Sequence, residues 1–317
     1  MRSTAPHLSV VGSAMMEFFA DRAGQRLSDV DTLSLAASGS ATILAAAAVG
    51  LGAQVSLLTA VGNDGLGAEW KRRVAAVGVD IDAVSQITGQ LTPIAISTVD
   101  LDGEKTYSFY RFRGICDPLD ELVLSDSQEA AAAEADVLVV TEAALRGTGS
   151  RRAVEALLAR RGRERGPTVL AVNFRADAWS DVEEAIRVLV AFASRATVVC
   201  CNRLEYELLA PAGLATDLVY ETSGAEGVRV HTAGNGHDVP ARAAPRGVVL
   251  DTGAGDTFCA AVAVALAEGR AAVEAAEFAT AVAALAISRS GLTDAAPSRQ
   301  EVDAFLRADA EPHMETV

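Results

Sequence analysis

The feature that most constrains this chain is a change of pattern in its second third. Val137–Val140, Thr168–Val172 and Thr197–Cys200 are short, unbroken apolar runs. Helical stretches near 150–163, 181–193 and 203–210 separate them. A strand that is apolar at every position has no face to turn to water, so both its faces must be covered. Alternation with helices supplies that cover and indicates a parallel sheet, because each helical crossover returns the chain to the same end of the sheet.

The flanking segments extend the same pattern. Leu8–Val11 reads as a buried strand ending at Gly12, and Val55–Thr59 as a second. A helix from about Ala41 to Val49 stops at Gly50-Leu51-Gly52, and one capped by Asn63-Asp64 runs to about Val77 before Gly78. Val228–His231 and Arg246–Leu250 read as further strands, and alanine-rich helices near 256–268, 271–288 and 298–307 follow. Two stretches differ. Pro93–Val99 and Lys105–Phe109 alternate around Asp102-Gly103, a strong hairpin signal. Residues 14–40 read as short strands with a turn near Gly24. The expectation is one α/β domain over residues 1–317, with a small β lid from about 14–40 and 93–113.

Charge and composition narrow the function. With 27 basic and 42 acidic residues the net charge is −15, which disfavours nucleic acid or an anionic membrane as the main partner. An anionic small molecule in a local basic pocket remains allowed. The longest apolar run, Phe258–Ala267, is ten residues, well short of the ~18 needed to cross a bilayer. Glu17 interrupts the N-terminal apolar stretch and no A-x-A site follows, so that stretch reads as a first strand. Cys116, Cys200, Cys201 and Cys259 contain no C-x-x-C pair, so neither a zinc knuckle nor a disulfide framework is expected, and a cytoplasmic location is. Lysine occurs only at Lys71 and Lys105, neither after a glycine-rich loop. That excludes a P-loop and argues against a protein-kinase fold, both of which place a lysine on nucleotide phosphates. Gly12 stands alone after the first strand, so a dinucleotide-binding G-x-G-x-x-G is absent there.

The sharpest segment is Val248-Val-Leu-Asp-Thr-Gly-Ala-Gly-Asp-Thr-Phe258. It reads as a strand, a tight turn at Gly253-Ala254-Gly255, and a helix beginning at Asp256. Small residues let a phosphate approach the backbone, and the unpaired N–H groups of a first helical turn attract its charge. Asp256 reads either as an ordinary N-cap or as a general base that takes a proton from an attacking hydroxyl. Arg111 and Arg113 share a strand face if the hairpin continues. They read either as a clamp for a carboxylate or phosphate, or as solvated charges.

The segment resembles the C-terminal signature of the ribokinase-like, or PfkB, family of carbohydrate kinases, and further matches follow in order along nearly the whole chain. Gly12 with Glu17, Ser38-Gly39 with the alanine helix after it, and Val61-Gly-Asn-Asp-Gly-Leu-Gly67 resemble family segments. So do Asn173-Phe-Arg175 with Trp179, Asn202-Arg-Leu-Glu205, and Thr222-Ser-Gly-Ala-Glu-Gly227. The resemblance implies an α/β ribokinase-like fold and ATP- and Mg²⁺-dependent phosphorylation of a hydroxyl on a small sugar or sugar acid. It implies Asp256 as base, with Gly253, Ala254 and Gly255 forming the anion turn. Asn202, Thr222, Gly224 and Gly227 would lie on the nucleotide, Glu205 on metal, and Glu17, Gly39, Arg111, Arg113 and Arg175 on the substrate. For Asn202 and Glu205 the residues alone equally allow a solvated first helical turn; for Gly224 and Gly227, a plain turn between strands. Asn63 and Asp64 are explained by capping, and the histidines are given no role.

An aromatic-Arg segment such as Tyr107–Arg113 resembles kinases of 2-keto-3-deoxygluconate and 5-dehydro-2-deoxygluconate more than ribokinase or adenosine kinase. Relatives often dimerise through the lid; Ile94, Ile96 and Phe109 allow that here and equally suit contact with the body. Departures gather on the sugar side: Glu17 replaces Asp, Ser38 replaces Gly, Ile43 replaces Asn and Ala171 replaces Asp. Leu250-Asp251 stands where the family has Asp-Thr, which puts a monovalent-cation site in doubt. A nucleoside kinase of the same fold and a non-catalytic ligand-binding relative stay open as alternatives.

Overall fold

The computed structural model describes residues 5–20, 24, 27–99, 105–110, 117–249, 251–289, 291, 293 and 296–310. Arg111, Arg113, Cys116 and the Asp102-Gly103 turn lie outside the described residues. The first strands are β1 (His7–Val11), β2 (Met15–Phe19), β3 (Ser34–Ser38), β4 (Gln54–Gly62) and β5 (Val84–Ile87). They are followed by β6 (Ile94–Val99), β7 (Lys105–Tyr110), β8 (Val137–Thr141) and β9 (Thr168–Ala171). The last are β10 (Val198–Asn202), β11 (Leu218–Thr222), β12 (Val228–Thr232) and β13 (Asn235–Val239). The helices are α1 (Ser40–Gly50), α2 (Gly65–Ala76), α3 (Asp126–Glu134), α4 (Thr148–Arg161) and α5 (Val182–Ala193). Then come α6 (Arg203–Leu209), α7 (Ala254–Ala267), α8 (Ala272–Ile287) and α9 (Arg299–Ala310).

Nine strands form one sheet in the order β13-β12-β11-β10-β9-β8-β1-β4-β5. Every pairing from β11 across to β5 is parallel; β12 and β13 add an antiparallel edge. Alternate residues of the same strands feed two cores. Val137, Val139, Val169 and Cys200 join the layer with α7, while Leu138, Val140, Leu170 and Cys201 join the layer with α4 and α5. Cys200 and Cys201 therefore point to opposite faces, as consecutive strand residues must. The first layer is built largely from alanine: α1 and α7 bury nearly their whole lengths, Ala41 to Ala48 and Ala260 to Ala265 included. Side chains this small let helix axes approach closely, so density replaces bulk.

A second sheet runs β3-β2-β6-β7, with β2 and β6 parallel and the outer pairs antiparallel. Its inner face carries Glu17, Ser97, Tyr107 and Phe109. Phe109 pairs with Ala95 in the register, which puts it on the opposite face from Ile94 and Ile96. The three therefore do not share a face: Phe109 stacks on Tyr107 at 5.5 Å between ring centroids and faces the body, one of the two expected uses, so it is withdrawn from a dimer surface.

Two further expectations change. Arg246–Val249 is no strand, and Val248 and Val249 are exposed. The edge position is taken by β13, a polar segment exposed at four of its five positions, so no apolar alternation marks it. The edge strand β5, Val84-Ser-Gln-Ile87, is four residues long, too short for a periodic pattern to show in the sequence. Helix α7 begins at Ala254, not at Asp256, with left-handed Gly253 (φ 76°) as its N-cap. Asp256 is thus the third helical residue and caps nothing.

Candidate active site

A cleft of about 610 Å³ opens at the C-terminal ends of the parallel strands and is roofed by the inner face of the small sheet. Crevices at this end of an α/β sheet are its ordinary binding position, because strand ends and helix N-termini converge there. Of the residues singled out in the sequence, Glu17, Gly39, Arg175, Asn202, Glu205, Thr222, Gly224, Gly253, Ala254, Gly255 and Asp256 line the cleft. Gly227 is not on its wall: a Cβ there would meet the Val239 carbonyl oxygen at 2.2 Å, so this glycine serves the close approach of β13.

Asp256 sits at the centre and is 7 % exposed. Its Oδ1 accepts from the Ser40 hydroxyl, at the first residue of α1, and from Asn173 Nδ2 at 3.4 Å. Its Oδ2 has no partner among the described residues. Burial pushes the carboxyl up to about 6, outweighing the Ser40 bond, the Arg175 charge and the Asn173 bond, which all lower it. Asn173 holds φ 35°, a left-handed conformation that asparagine tolerates better than most residues.

The turn before α7 supplies backbone donors. The Ala254 amide is spent on the Asp251 carbonyl at 3.1 Å, which corrects its expected place among the anion-binding amides. The amides of Gly253, Gly255 and Asp256 make no hydrogen bond among the described residues. A Cβ on Gly255 would enter open space, so the backbone itself forms the cradle. Gly253 has no such freedom: its Cβ would lie 2.9 Å from Ile43 Cγ2.

Glu205 is not a solvated first-turn residue but a buried one. It and Asn202 form a capping box at α6: Glu205 N donates to Asn202 Oδ1 at 2.9 Å, and Asn202 N to Glu205 Oε2 at 2.8 Å. Phe174 N donates to Oε1 at 2.6 Å, so the carboxylate ties the end of β9 to the end of β10. Burial raises its pKa, opposed by those two amides and by Arg175. No group of three acidic, histidine or cysteine residues able to hold a metal occurs among the described residues.

On the substrate side, Glu17 Oε2 accepts from Ser38 and Oε1 from Ser97, both at 2.8 Å. Gly39 has φ 108°, and a Cβ there would meet the Ser13 carbonyl oxygen at 2.4 Å. The Tyr107 hydroxyl bonds Thr252 Oγ1 at 2.7 Å and joins the small sheet to the anion turn; burial pushes this phenol up to about 12. Sequence reasoning missed Ser40, the Tyr107–Thr252 link and the Glu142–Arg146 pair, which also borders the cleft and is joined from behind by Trp179. The available signal was position alone, since Ser40 opens a helix and Glu142 directly follows a parallel strand.

A family model described as pfkB family carbohydrate kinase matches residues 5–299. The chain belongs to the pfkB family of carbohydrate kinases. It is an ATP-dependent carbohydrate kinase. Among curated relatives, it is 27 % identical over 287 residues to a ribokinase of Haemophilus influenzae, covering 86 % of this chain and 88 % of that protein. It is 25 % identical over 317 residues to a 5-dehydro-2-deoxygluconokinase of Photobacterium profundum, covering 94 % and 93 %. Among solved structures, this pfkB kinase is similar to a sugar kinase from Pyrococcus horikoshii in complex with ATP. That match has a TM-score of 0.82 and 24 % identity, covering 93 % and 96 % of the two chains. It is also similar to a fructokinase with bound ATP from Xylella fastidiosa, with a TM-score of 0.81 and 22 % identity, covering 96 % and 99 %.

Proposed function

We propose that this kinase transfers the γ-phosphoryl group of ATP to a hydroxyl of a small sugar or sugar acid, with Asp256 as general base. The observation that carries this is the asymmetry of one carboxylate. Oδ1 is held by Ser40 and Asn173, while Oδ2 is unpartnered on the cleft wall beside the donor turn. A base with pKa about 6 is mostly ionised at pH 7 yet basic enough to take the acceptor's proton as its oxygen attacks phosphorus. The amides of Gly253, Gly255 and Asp256, with the α7 dipole behind them, stabilise charge on the transferring group. Arg175, whose field reaches both Asp256 and Glu205, adds positive charge at the same point.

Thr222, Gly224 and Asn202 lie along the wall for the nucleotide, while Glu17 and Gly39 face the acceptor. The donor set suits a magnesium ion brought in on the phosphates: Mg²⁺ keeps most of its waters and takes few protein ligands. Both Glu205 oxygens hold amides but retain lone pairs toward a metal-bound water. Such an ion would neutralise phosphate charge. The small sheet acts as a lid that excludes water as a competing acceptor. Arg111 and Arg113 remain proposed contacts for an acidic substrate. A homodimer through the lid remains a proposal, to be checked by analytical ultracentrifugation; Ile94 packs on the core of its own chain and Ile96 is only half-buried. The buried thiols of Cys200, Cys201 and Cys259 support a cytoplasmic setting.

Asp256→Asn tests the base. Coupled ADP release should fall by roughly 10²–10⁴-fold while ATP binding by calorimetry persists. Undiminished turnover removes Asp256 from this role.

A further inference from the structure

Glu142 follows β8 directly, at the C-terminal end of a parallel strand, and its side chain is 1 % exposed. Arg146 lies four residues on, with its side chain 14 % exposed, and both border the cleft. Arg146 Nε donates to Glu142 Oε1 and Oε2 at 2.9 and 3.0 Å, and Nη2 donates to Oε2. Trp179 Nε1 donates to Oε1. Glu142 is thus enclosed by donors, and the guanidinium is locked in one orientation. Arg146 Nη1 has no hydrogen bond among the described residues.

A buried ion pair at i,i+4 can be purely structural, and such pairs contribute little net stability. The same fold shows what a structural arginine does here. Buried Arg161 uses both Nη groups on the carbonyls of Ala133, Ala135, Asp136 and Pro167. Arg146 instead keeps donors on a cavity wall. Glu142 meets ligands as a backing group, so this wall offers N–H donors. Donors of a guanidinium fork match an acceptor-only oxyanion better than a sugar hydroxyl.

Charge placement points the same way. Arg146 and Arg175 are the two cationic side chains among the described residues lining the cleft. Arg175 acts on Asp256 and Glu205, at the phosphoryl-transfer end. Glu17 and Glu205 already have both oxygens hydrogen-bonded, so neither needs Arg146.

We infer that Arg146, positioned by Glu142, is a seat, among the described residues, for a terminal anionic group on the acceptor, so that this kinase prefers an acidic sugar to its neutral counterpart. The inference rests on the kinase reading above and names the substrate class of that site. A carboxylate and a phosphate ester share the required chemistry.

The test compares D-gluconate, 2-keto-D-gluconate and other C5–C7 sugar acids with the neutral sugars of equal length and with their terminal phosphates. Turnover is read by ADP release and binding by calorimetry. Arg146→Met alone strands the buried Glu142 charge and can fail to fold, so the double variant E142Q/R146M is used beside Arg146→Lys, each checked by thermal melting. The acid-to-neutral ratio of kcat/KM should fall by roughly 10–100-fold in the double variant, mostly through KM, with partial recovery in Arg146→Lys. Preference for phosphates over carboxylates, lost with Arg146, keeps the seat and identifies its group. An unchanged ratio, or a wild type that prefers neutral sugars, overturns the seat and leaves phosphoryl transfer standing. Arg146-dependent binding of an acid without product keeps the seat and overturns the proposed phosphoryl transfer to a sugar acid; no binding or turnover with any acid of the panel overturns the seat and that acceptor class together.

Discussion

Replacing Asp256 by asparagine should make this protein more stable at neutral pH while disabling it. The carboxyl rises from 3.8 to about 6 because burial penalises its charge. At 1.36 kcal/mol per pKa unit, keeping Asp256 ionised in the folded state costs about 3 kcal/mol. The sign follows from linkage. The folded state holds the proton more tightly than the unfolded one, so the stabilising contribution is complete below about pH 4. It is lost as pH rises through about 6, and the penalty is complete above that. Asparagine resembles the protonated acid at every pH and still accepts from Ser40 and Asn173. At roughly 2.1 cal/mol/K of unfolding entropy per residue, about 3 kcal/mol over this chain corresponds to roughly 4–5 °C in Tm. Scanning calorimetry of both proteins between pH 4 and 8 should show the variant gaining that margin at pH 8 and losing it toward pH 4. Wild-type kcat/KM should carry an acidic limb near pH 6, falling tenfold per pH unit below it. A gap that does not change with pH, or a variant less stable at pH 8, would refute the argument that desolvation governs this carboxylate.

Other outcomes follow from the same geometry. Ser40→Ala removes a bond that lowers the Asp256 pKa, so the acidic limb of the kcat/KM profile should move to higher pH; an unmoved limb removes Ser40 from the site's electrostatics. Gly253→Ala forces a side chain into a positive φ and onto Ile43, and should lower stability by about 1–3 kcal/mol in denaturant unfolding. Gly255→Ala meets open space within α7, so its stability should hold or rise by up to ~1 kcal/mol while the KM for ATP increases. Equal melting losses in the two variants would contradict the different tasks assigned to these glycines.

The departures on the sugar side show how residues that look unrelated in sequence become one device. Glu17 is longer than the aspartate the family resemblance leads one to expect. Ser38 stands where glycine is usual and donates to that longer carboxylate, while Ser97 holds its other oxygen from β6. Each substitution read alone suggests damage; together they give a fully bonded buried acid. Ile43, which cannot hydrogen-bond, packs against Gly253. Nothing in the linear order signals these pairings, because residues 17, 38 and 97 meet only once β2, β3 and β6 have aligned.

Local chemistry along the chain was enough for the parallel sheet, most helices and the donor turn. Continuous apolar runs must be covered on both faces, and the first turn of any helix has amides without intrahelical partners, which small residues such as Gly253-Ala254-Gly255 leave accessible. The edge strands β5 and β13 carry no such signal, since β5 is only four residues long and β13 is a polar segment exposed at four of its five positions. Tertiary structure decided which charges are available. It buried Asp256 and left one oxygen bare, occupied both oxygens of Glu205 and Glu17, removed Gly227 from the cleft, and set Arg146 on Glu142 with donors to spare. Some of these partners are near in sequence, as Glu142 is to Arg146, and others lie far off, Phe174 31 residues from Glu205 and Ser40 216 residues from Asp256; the burial that decides all of them exists only after the chain has packed.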